Sequence, residues 1–444
     1  MSLRREAESE TGLAADDLRE SWRLLAPEDR LEAFLELPRP EAEDFFLELT
    51  SRDQYEMVRA INPEQRRSWM RLMAPDDAAD LVQQAVEDER EALLALLDEQ
   101  TRREVMALLA YAEDDAGGLM NPRYANVRAD VGVDEAISYL RKQAREKLEN
   151  VYYVYVNDVE RKLVGVVSLR ELFAAPSDRR VRDIMSTDLI TARADMDQEE
   201  LSRLFAAHDL QAIPVVDANG HMHGIVTVDD IVDVLREEAT EDIQKIGGTE
   251  ALEAPYLQVT YESMLRKRVV WLAVLFVGEL LTATAMSRFE NEIAKAVVLS
   301  VFIPLIISSG GNSGSQASTL VIRAMALGEV KLGDWWRVVH REIVQGASIG
   351  AILGVIGLAR VFVWEALFHS YAPHTVRLAI TVSASVMGVV TFGTLTGSML
   401  PFLLRRIGLD PASASAPFVA TLVDVTGIVI YFTIASLMLK GTLL

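Results

Sequence analysis

An aspartate inside an apolar run is the residue best placed to do chemistry in this chain. Asp424 lies within PFVATLVDVTGIVIYF, with no Lys or Arg in the same stretch to neutralise it. An ionised carboxylate at membrane depth costs about 2.5–3.5 kcal/mol even on insertion scales, so such a residue is functional by default. Its oxygens are hard ligands, suited to Mg²⁺ or Ca²⁺ rather than to soft metals. A second run, LIISSGGNSGSQASTLVI at 305–322, sets Asn312 and Gln316 among glycines and serines. Small residues let helix backbones approach closely, which accounts for the glycines but not for the amides beside them. The other reading is that positions 308–316 break the span after Pro304 and line a water-filled path, because irregular backbone at that depth survives only beside protein or water. Another apolar stretch carries a similar small and polar face, from Ser383 through Thr391 and Thr394 to Ser398. Glu279, Arg360 and Glu365 also lie in apolar stretches. An Arg360–Glu279 pair would be structural, and Glu365 is near enough to a loop to reach water.

The remainder of the chain is rich in carboxylates. Up to Arg268 it carries 33 Lys and Arg against 57 Asp and Glu, a net of −24, whereas the residues after it carry 11 against 9. Such acidity argues against nucleic acid and anionic lipid headgroups as partners. Cations are the natural counterpart, although solubility alone also explains an acidic surface. There is no cysteine, so disulfides and thiolate metal sites are excluded. The opening MSLRREAESE has no apolar core and does not read as a signal peptide. Six scattered histidines, no nucleophile motif and no phosphate-cradling loop give no reason to expect an enzyme.

Several kinds of element must position these residues. Residues 20–117 read as an all-α domain of short helices, as in LLAPEDRLEAFLEL and AINPEQRRSWMRLM. Pro and then acidic residues suit a helix N-terminus, where N–H groups are unpaired and the dipole is positive, and recurrence of the unit suggests a small superhelix. Residues 118–235 contain an α/β duplication, divided near 180/181. YVYVND answers IPVVDA and VGVVSLREL answers HGIVTVDDI, each copy reading helix, strand, turn, strand, helix. One copy is too small to bury both faces of its sheet, so the two should pack together. An acidic helix, 228–246, ends at Gly247-Gly248, and a second helix over 256–268 completes a connecting segment, 236–268. Residues 269–444 form an α-helical membrane domain of five spans, at about 269–288, 295–325, 343–367, 376–404 and 416–439, each long enough for a hydrocarbon core. Arg266, Lys267 and Arg268, then Arg323, Lys331, Arg337 and Arg341, then Arg405 and Arg406 mark the inner loops. That excess places the N-terminal part in the cytoplasm and the C-terminus outside.

FIPLIISSGGNSGSQAS and LDPASASAPFVATLVDVTG resemble the two membrane signatures of MgtE-type magnesium channels. The order of parts is similar too, over essentially residues 20–440: acidic helical N domain, tandem CBS repeats, plug helix, five spans. The resemblance implies a homodimer in the plasma membrane with the ion pathway at the subunit interface. It places Asp424 on the pore carboxylate, Asp410 on the Asp of an Asp-Pro motif and Ala420 where a backbone carbonyl faces hydrated metal. Ala416 stands where some members carry Asn and offers no side-chain ligand. Gly310–Gln316, including Asn312, would be a water-facing wall of carbonyl and amide oxygens, since Mg²⁺ sheds water reluctantly and should be held through its waters. CBS pairs commonly bind adenine nucleotides, and a Ser/Thr three residues before an acid occurs twice, as Ser168/Glu171 and Thr227/Asp230, with Tyr153 and Arg170 resembling ATP contacts. Asp76, Asp80, Glu199, Asp209, Asp230, Asp233, Glu238, Glu241 and Asp242 resemble cytosolic Mg²⁺ sites. The function implied is a Mg²⁺-selective channel closed by cytosolic Mg²⁺ and modulated by ATP. The alternative is an ion-coupled secondary transporter of divalent cations, which also uses broken spans.

Overall fold

Proline sets the start of helix after helix in the N-terminal part. Pro27–Glu36, Pro63–Met70 and Pro75–Gln84 each begin on it, Asn62 caps the second of these through its side chain, and Thr50 and Asp98 cap neighbouring helices in the same way. The computed structural model describes residues 15–144, 148, 150–252, 256–257 and 259–442. Two compact units divide the chain, residues 1–236 and 237–444. In the first, Phe34, Phe46 and Trp69 form an aromatic centre with ring centroids 5.1–6.5 Å apart, and Phe45 packs beside Phe34.

Each repeat opens with a strand that the duplication pattern does not reveal. β1 (Tyr124–Arg128), β2 (Asn150–Asn157) and β3 (Leu163–Ser168) form one sheet, in which β1 runs parallel to β2 and β2 antiparallel to β3. β4 (Ala192–Arg193), β5 (Ala212–Val216) and β6 (Met222–Thr227) repeat the arrangement. A parallel pair needs a crossover connection, which the helices Val133–Gln143 and Gln198–His208 supply. Five residues and two residues are too few to show a period of their own, so β1 and β4 merge by eye into those helices. The copies meet along a seam where Leu163 N–H donates to the Gly220 carbonyl at 3.0 Å. Tyr155 of the first copy packs there with Ala212, Met222 and Ile225 of the second.

Helix Val228–Ile246 runs unbroken across position 235/236, where the sequence pattern ends the repeats. Residues 261–268 do not form a helix of their own, because Tyr261–Arg288 is one helix that starts on the Thr260 cap and continues into the first span. Five helices of the second unit are long and apolar enough to cross a membrane. They are Tyr261–Arg288, a 3₁₀ entry followed by Ile303–Ala326, Trp335–Phe368, Thr375–Arg406 and Ala416–Leu439.

The expected break at 308–316 is absent, since Ile303–Ala326 is continuous α-helix. Its glycines serve packing instead. A Cβ on Gly314 would lie 2.7 Å from the Gly393 carbonyl oxygen, and one on Gly310 would lie 3.1 Å from that of Val389. The second and fourth spans therefore touch backbone to backbone. The small face of the fourth span is a packing face as well, with Ser385, Thr394 and Ser398 buried. Because backbone carbonyls stay in the helical ladder, they do not form the carbonyl-lined wall that a broken span would give.

Candidate functional site

Asp424 lies eight residues into the fifth span, ~12 Å along its axis from Ala416. Its helix is placed by the second span: a Cβ on Gly310 would meet Val423 Cγ1 at 2.9 Å, and one on Gly311 would meet Ala420 Cβ at 3.6 Å. Asp424 thus shares the depth of Ser308–Asn312. Ser308, Asn312 and Gln316 are spaced four apart and exposed on one face of their helix, with Asn312 Nδ2 3.5 Å from Ser308 Oγ. The run that seemed to need a single explanation divides by face, glycines inward and amides outward. Among the described residues the Asp424 carboxylate has no hydrogen-bond donor or ion-pair partner, and the charge within its reach is Glu279 of the first span. Among the described residues Glu279 pairs with no arginine. Arg360 instead stacks over Trp364, its guanidinium carbon 3.6 Å from the ring centroid, and Glu365 accepts from Tyr371 N–H at 2.6 Å. Ala420 lies in the helix, where its carbonyl takes part in the ladder.

Asp410 is not at the same depth. It precedes the fifth span and caps the turn Pro411–Ser413, its Oδ1 accepting from Ala412 N–H at 2.8 Å. Its Oδ2 lies 2.7 Å from Lys245 Nζ, and Lys245 also pairs with Glu241. Burial works against the ammonium, but the hydrogen bonds it donates to Asp410 and Glu241 outweigh it and hold the lysine above its ordinary range. Sequence reasoning passed over Lys245; its place four residues after Glu241 was the available signal. The corner 414–416 is tied to the second span by Ser318 Oγ to the Ala414 carbonyl (2.8 Å) and Ser315 Oγ to that of Ala416 (3.1 Å).

Both Ser/Thr–acid pairs of the repeats close the same local ring. Ser168 Oγ donates to Glu171 Oε2 at 2.7 Å, and Glu171 N–H donates back at 3.1 Å. In the second copy Thr227 Oγ1 donates to Asp230 Oδ2 at 2.6 Å, and its backbone N–H reaches the same oxygen at 3.2 Å. Tyr153 faces Ser168 across the β2–β3 pair, as Ala212 faces Thr227 across β5–β6. Tyr153 also belongs to the seam cluster that holds Ala212, so these positions border one seam. Arg170, two residues after Ser168, is exposed.

The remaining acids are dispersed. Asp76 is buried and accepts from Asn121 Nδ2 at 3.1 Å. Glu199 pairs with Arg203, Asp233 with Arg236 at 3.3 Å, and Asp209 ends its helix in the left-handed region. Asp80 is partly buried, as are Glu238 and Asp242 farther along helix Val228–Ile246. Burial pushes Asp230 up to about 7, with Asp229 and Asp77 adding repulsion against the Thr227 hydrogen bonds. Asp77 and Asp229 were not singled out in the sequence. Among the described residues no three His, Asp or Glu side chains converge as a metal-holding group.

A family model described as divalent cation transporter matches residues 303–434. Models of the MgtE intracellular N domain and of the CBS domain match 13–114, and 116–178 with 181–237. The chain is 41% identical over 337 residues to the magnesium transporter MgtE of Thermus thermophilus, covering 76% of this chain and 73% of that one. It is 34% identical over 336 residues to the magnesium transporter MgtE of Enterococcus faecalis, covering 76% and 72%. The crystal structure of the cytosolic domain of the Mg²⁺ channel MgtE in complex with ATP aligns with 40% identity and a TM-score of 0.47, over 52% of this chain and 93% of that one. With an acidic intracellular N domain, a CBS pair and five candidate spans, and with identity of this extent over nearly three quarters of each of those transporters, the chain belongs to the MgtE family of magnesium transporters, which are not enzymes.

Proposed function

We propose that the chain is one subunit of a homodimeric Mg²⁺-selective channel whose pathway runs past Asp424 and closes when cytosolic Mg²⁺ rises. The observation that carries this reading is a carboxylate at membrane depth that the described residues leave without a donor, level with the exposed Ser308 and Asn312 face. A hydrated Mg²⁺ keeps its waters, and those waters would donate to Asp424. The positive-inside pattern puts the C-terminus outside.

Gating follows from charge. Like charges near 4 Å cost about 4 kcal/mol per pair at an effective dielectric of about 20, so Mg²⁺ shared between facing carboxylates reverses the sign of their interaction. Asp76, Asp80, Glu199, Asp209, Asp230, Asp233, Glu238, Glu241 and Asp242 are the proposed sensor carboxylates, with Asp77 and Asp229 added by their closeness to Asp230. Adenine nucleotide would bind at the seam bordered by Tyr153, Ser168 and Thr227, with Arg170 beside it and Glu171 and Asp230 offered to the ribose. Mg²⁺ uptake into liposomes by the wild type and by Asp424→Ala tests the pathway. Loss of selective flux in the variant is expected. Unchanged Mg²⁺-selective flux in the variant overturns the pathway past Asp424, and flux that strictly requires a Na⁺ or H⁺ gradient overturns the channel reading.

A further inference from the structure

Three contacts converge on the corner that leads into the fifth span, all within the second unit. Lys245 Nζ reaches Asp410 Oδ2 at 2.7 Å while also pairing with Glu241. Ile246 packs with Ile322, Ala412 and Ala414. Gly248 takes φ +75° and lies so close that a Cβ would meet Trp271 Nε1 at 3.0 Å and Pro417 Cγ at 3.1 Å. Trp271 Nε1 in turn donates to Ser415 Oγ at 3.3 Å, and Ser415 caps the fifth span by accepting from Phe418 N–H at 3.4 Å. The end of helix Val228–Ile246 therefore grips the start of the helix that carries Asp424.

Two of the carboxylates at this corner, Glu241 and Asp410, would repel each other if nothing lay between them. A covalently tethered ammonium already does. We propose that Lys245 is a positioning residue, a resident cation that fastens the connecting helix to the Asp410 turn without metal and lowers the Mg²⁺ needed for closure. This deepens the gating reading and rests on it. Asp410, and Glu241 in addition to its proposed sensor role, are then the lysine's partners. The pair is partly exposed, with 28% and 37% of the two side chains accessible, so solvent screens it and the effect should be moderate.

The chain has no cysteine, which permits a readout independent of flux. Ile246→Cys, in the otherwise wild-type full-length protein, is treated with a water-soluble maleimide in Mg²⁺-free buffer. Adding Lys245→Met should speed labelling several-fold, and Lys245→Arg should leave it near the parent rate. Asp410→Lys alone should speed it further, whereas the exchanged pair Lys245→Asp with Asp410→Lys should slow it again. In liposomes Lys245→Met should raise the half-closing Mg²⁺ concentration about three- to tenfold, in keeping with one moderate charge-assisted contact. Labelling that ignores Lys245→Met, or an exchanged pair that labels as fast as Asp410→Lys alone, overturns the proposal; the second comparison decides even if Lys245→Met fails to fold. Wild-type flux that Mg²⁺ does not close would instead defeat the gating reading, with the labelling result still deciding whether the ammonium holds this corner.

Discussion

Asp230 and Asp424 are the same residue type, and the protein surrounds them in opposite ways. Asp230 receives the Thr227 hydroxyl and backbone N–H, at 2.6 and 3.2 Å, and helps to close a strand into a helix. Asp424 receives no donor from the described residues and has only another carboxylate, Glu279, within electrostatic reach. A carboxylate whose lone pairs are filled by its own chain contributes to folding first. One left unfilled in an apolar setting weakens the fold, and it makes sense when a transported cation supplies the missing charge. The neighbours, more than the residue, decide which role an aspartate takes.

The sharpest separation of the two should come from charge removal. Asp424→Asn is expected to cut Mg²⁺ flux about 100-fold, since hydrogen bonds to charged groups contribute roughly 1.5–3 kcal/mol each. The melting temperature of the solubilised protein should hold or rise, because an insertion penalty is relieved. Asp230→Asn should leave ion selectivity intact and shift the Mg²⁺ concentration at which flux closes. A variant of Asp424 that is both less stable and fully conducting would dissolve the contrast.

Next in size is a test of the divided run. Gly393→Ala places a methyl against the Gly310 carbonyl and should cost about 1–3 kcal/mol, as overpacking does, read as a lower melting temperature. Asn312→Leu, on the exposed face, should leave melting unchanged and lower flux.

A pH scan in chelator, taken as the difference between wild type and Asp230→Asn, isolates Asp230. Its folded-state value of about 7 stands above the ordinary 3.8, so the folded protein keeps a proton that the unfolded chain has released. The contribution of Asp230 to the stability of its unit should therefore be fullest below about pH 4, decline up to about pH 7 and level off above. Hydrogen exchange in β6 follows this in the full-length protein, and Asp230→Asn should flatten the slope. The smallest effect is expected at the first copy, where Ser168→Ala removes an exposed cap worth about 1 kcal/mol.

Much of this was legible in sequence because the signals were periodic or out of place. Five apolar stretches of sufficient length, prolines at helix starts and a lone Asp in a span each show on their own. What escaped was set by contacts across the chain. The glycine run read as a break because sequence shows its composition but not the glycines facing it on the fourth span, which only packing brings opposite. β1 and β4 were too short to show a period. Asp410 was grouped with the pore by motif, although it sits before the fifth span and its partner, Lys245, is 165 positions away. Asn121, on Asp76, is likewise 45 positions distant.

The glycine seam between the second and fourth spans also limits how this protein is able to diverge. In an ordinary core a larger side chain is tolerated when its neighbour shrinks, and drift proceeds by such exchanges. Here Gly314 and Gly393 face main-chain atoms, and a carbonyl has no smaller version to shrink into. No second substitution repairs the first, so the two positions are closed to gradual change. They also carry no rotamers to freeze, and this seam forms without the loss of side-chain freedom that larger residues would bring.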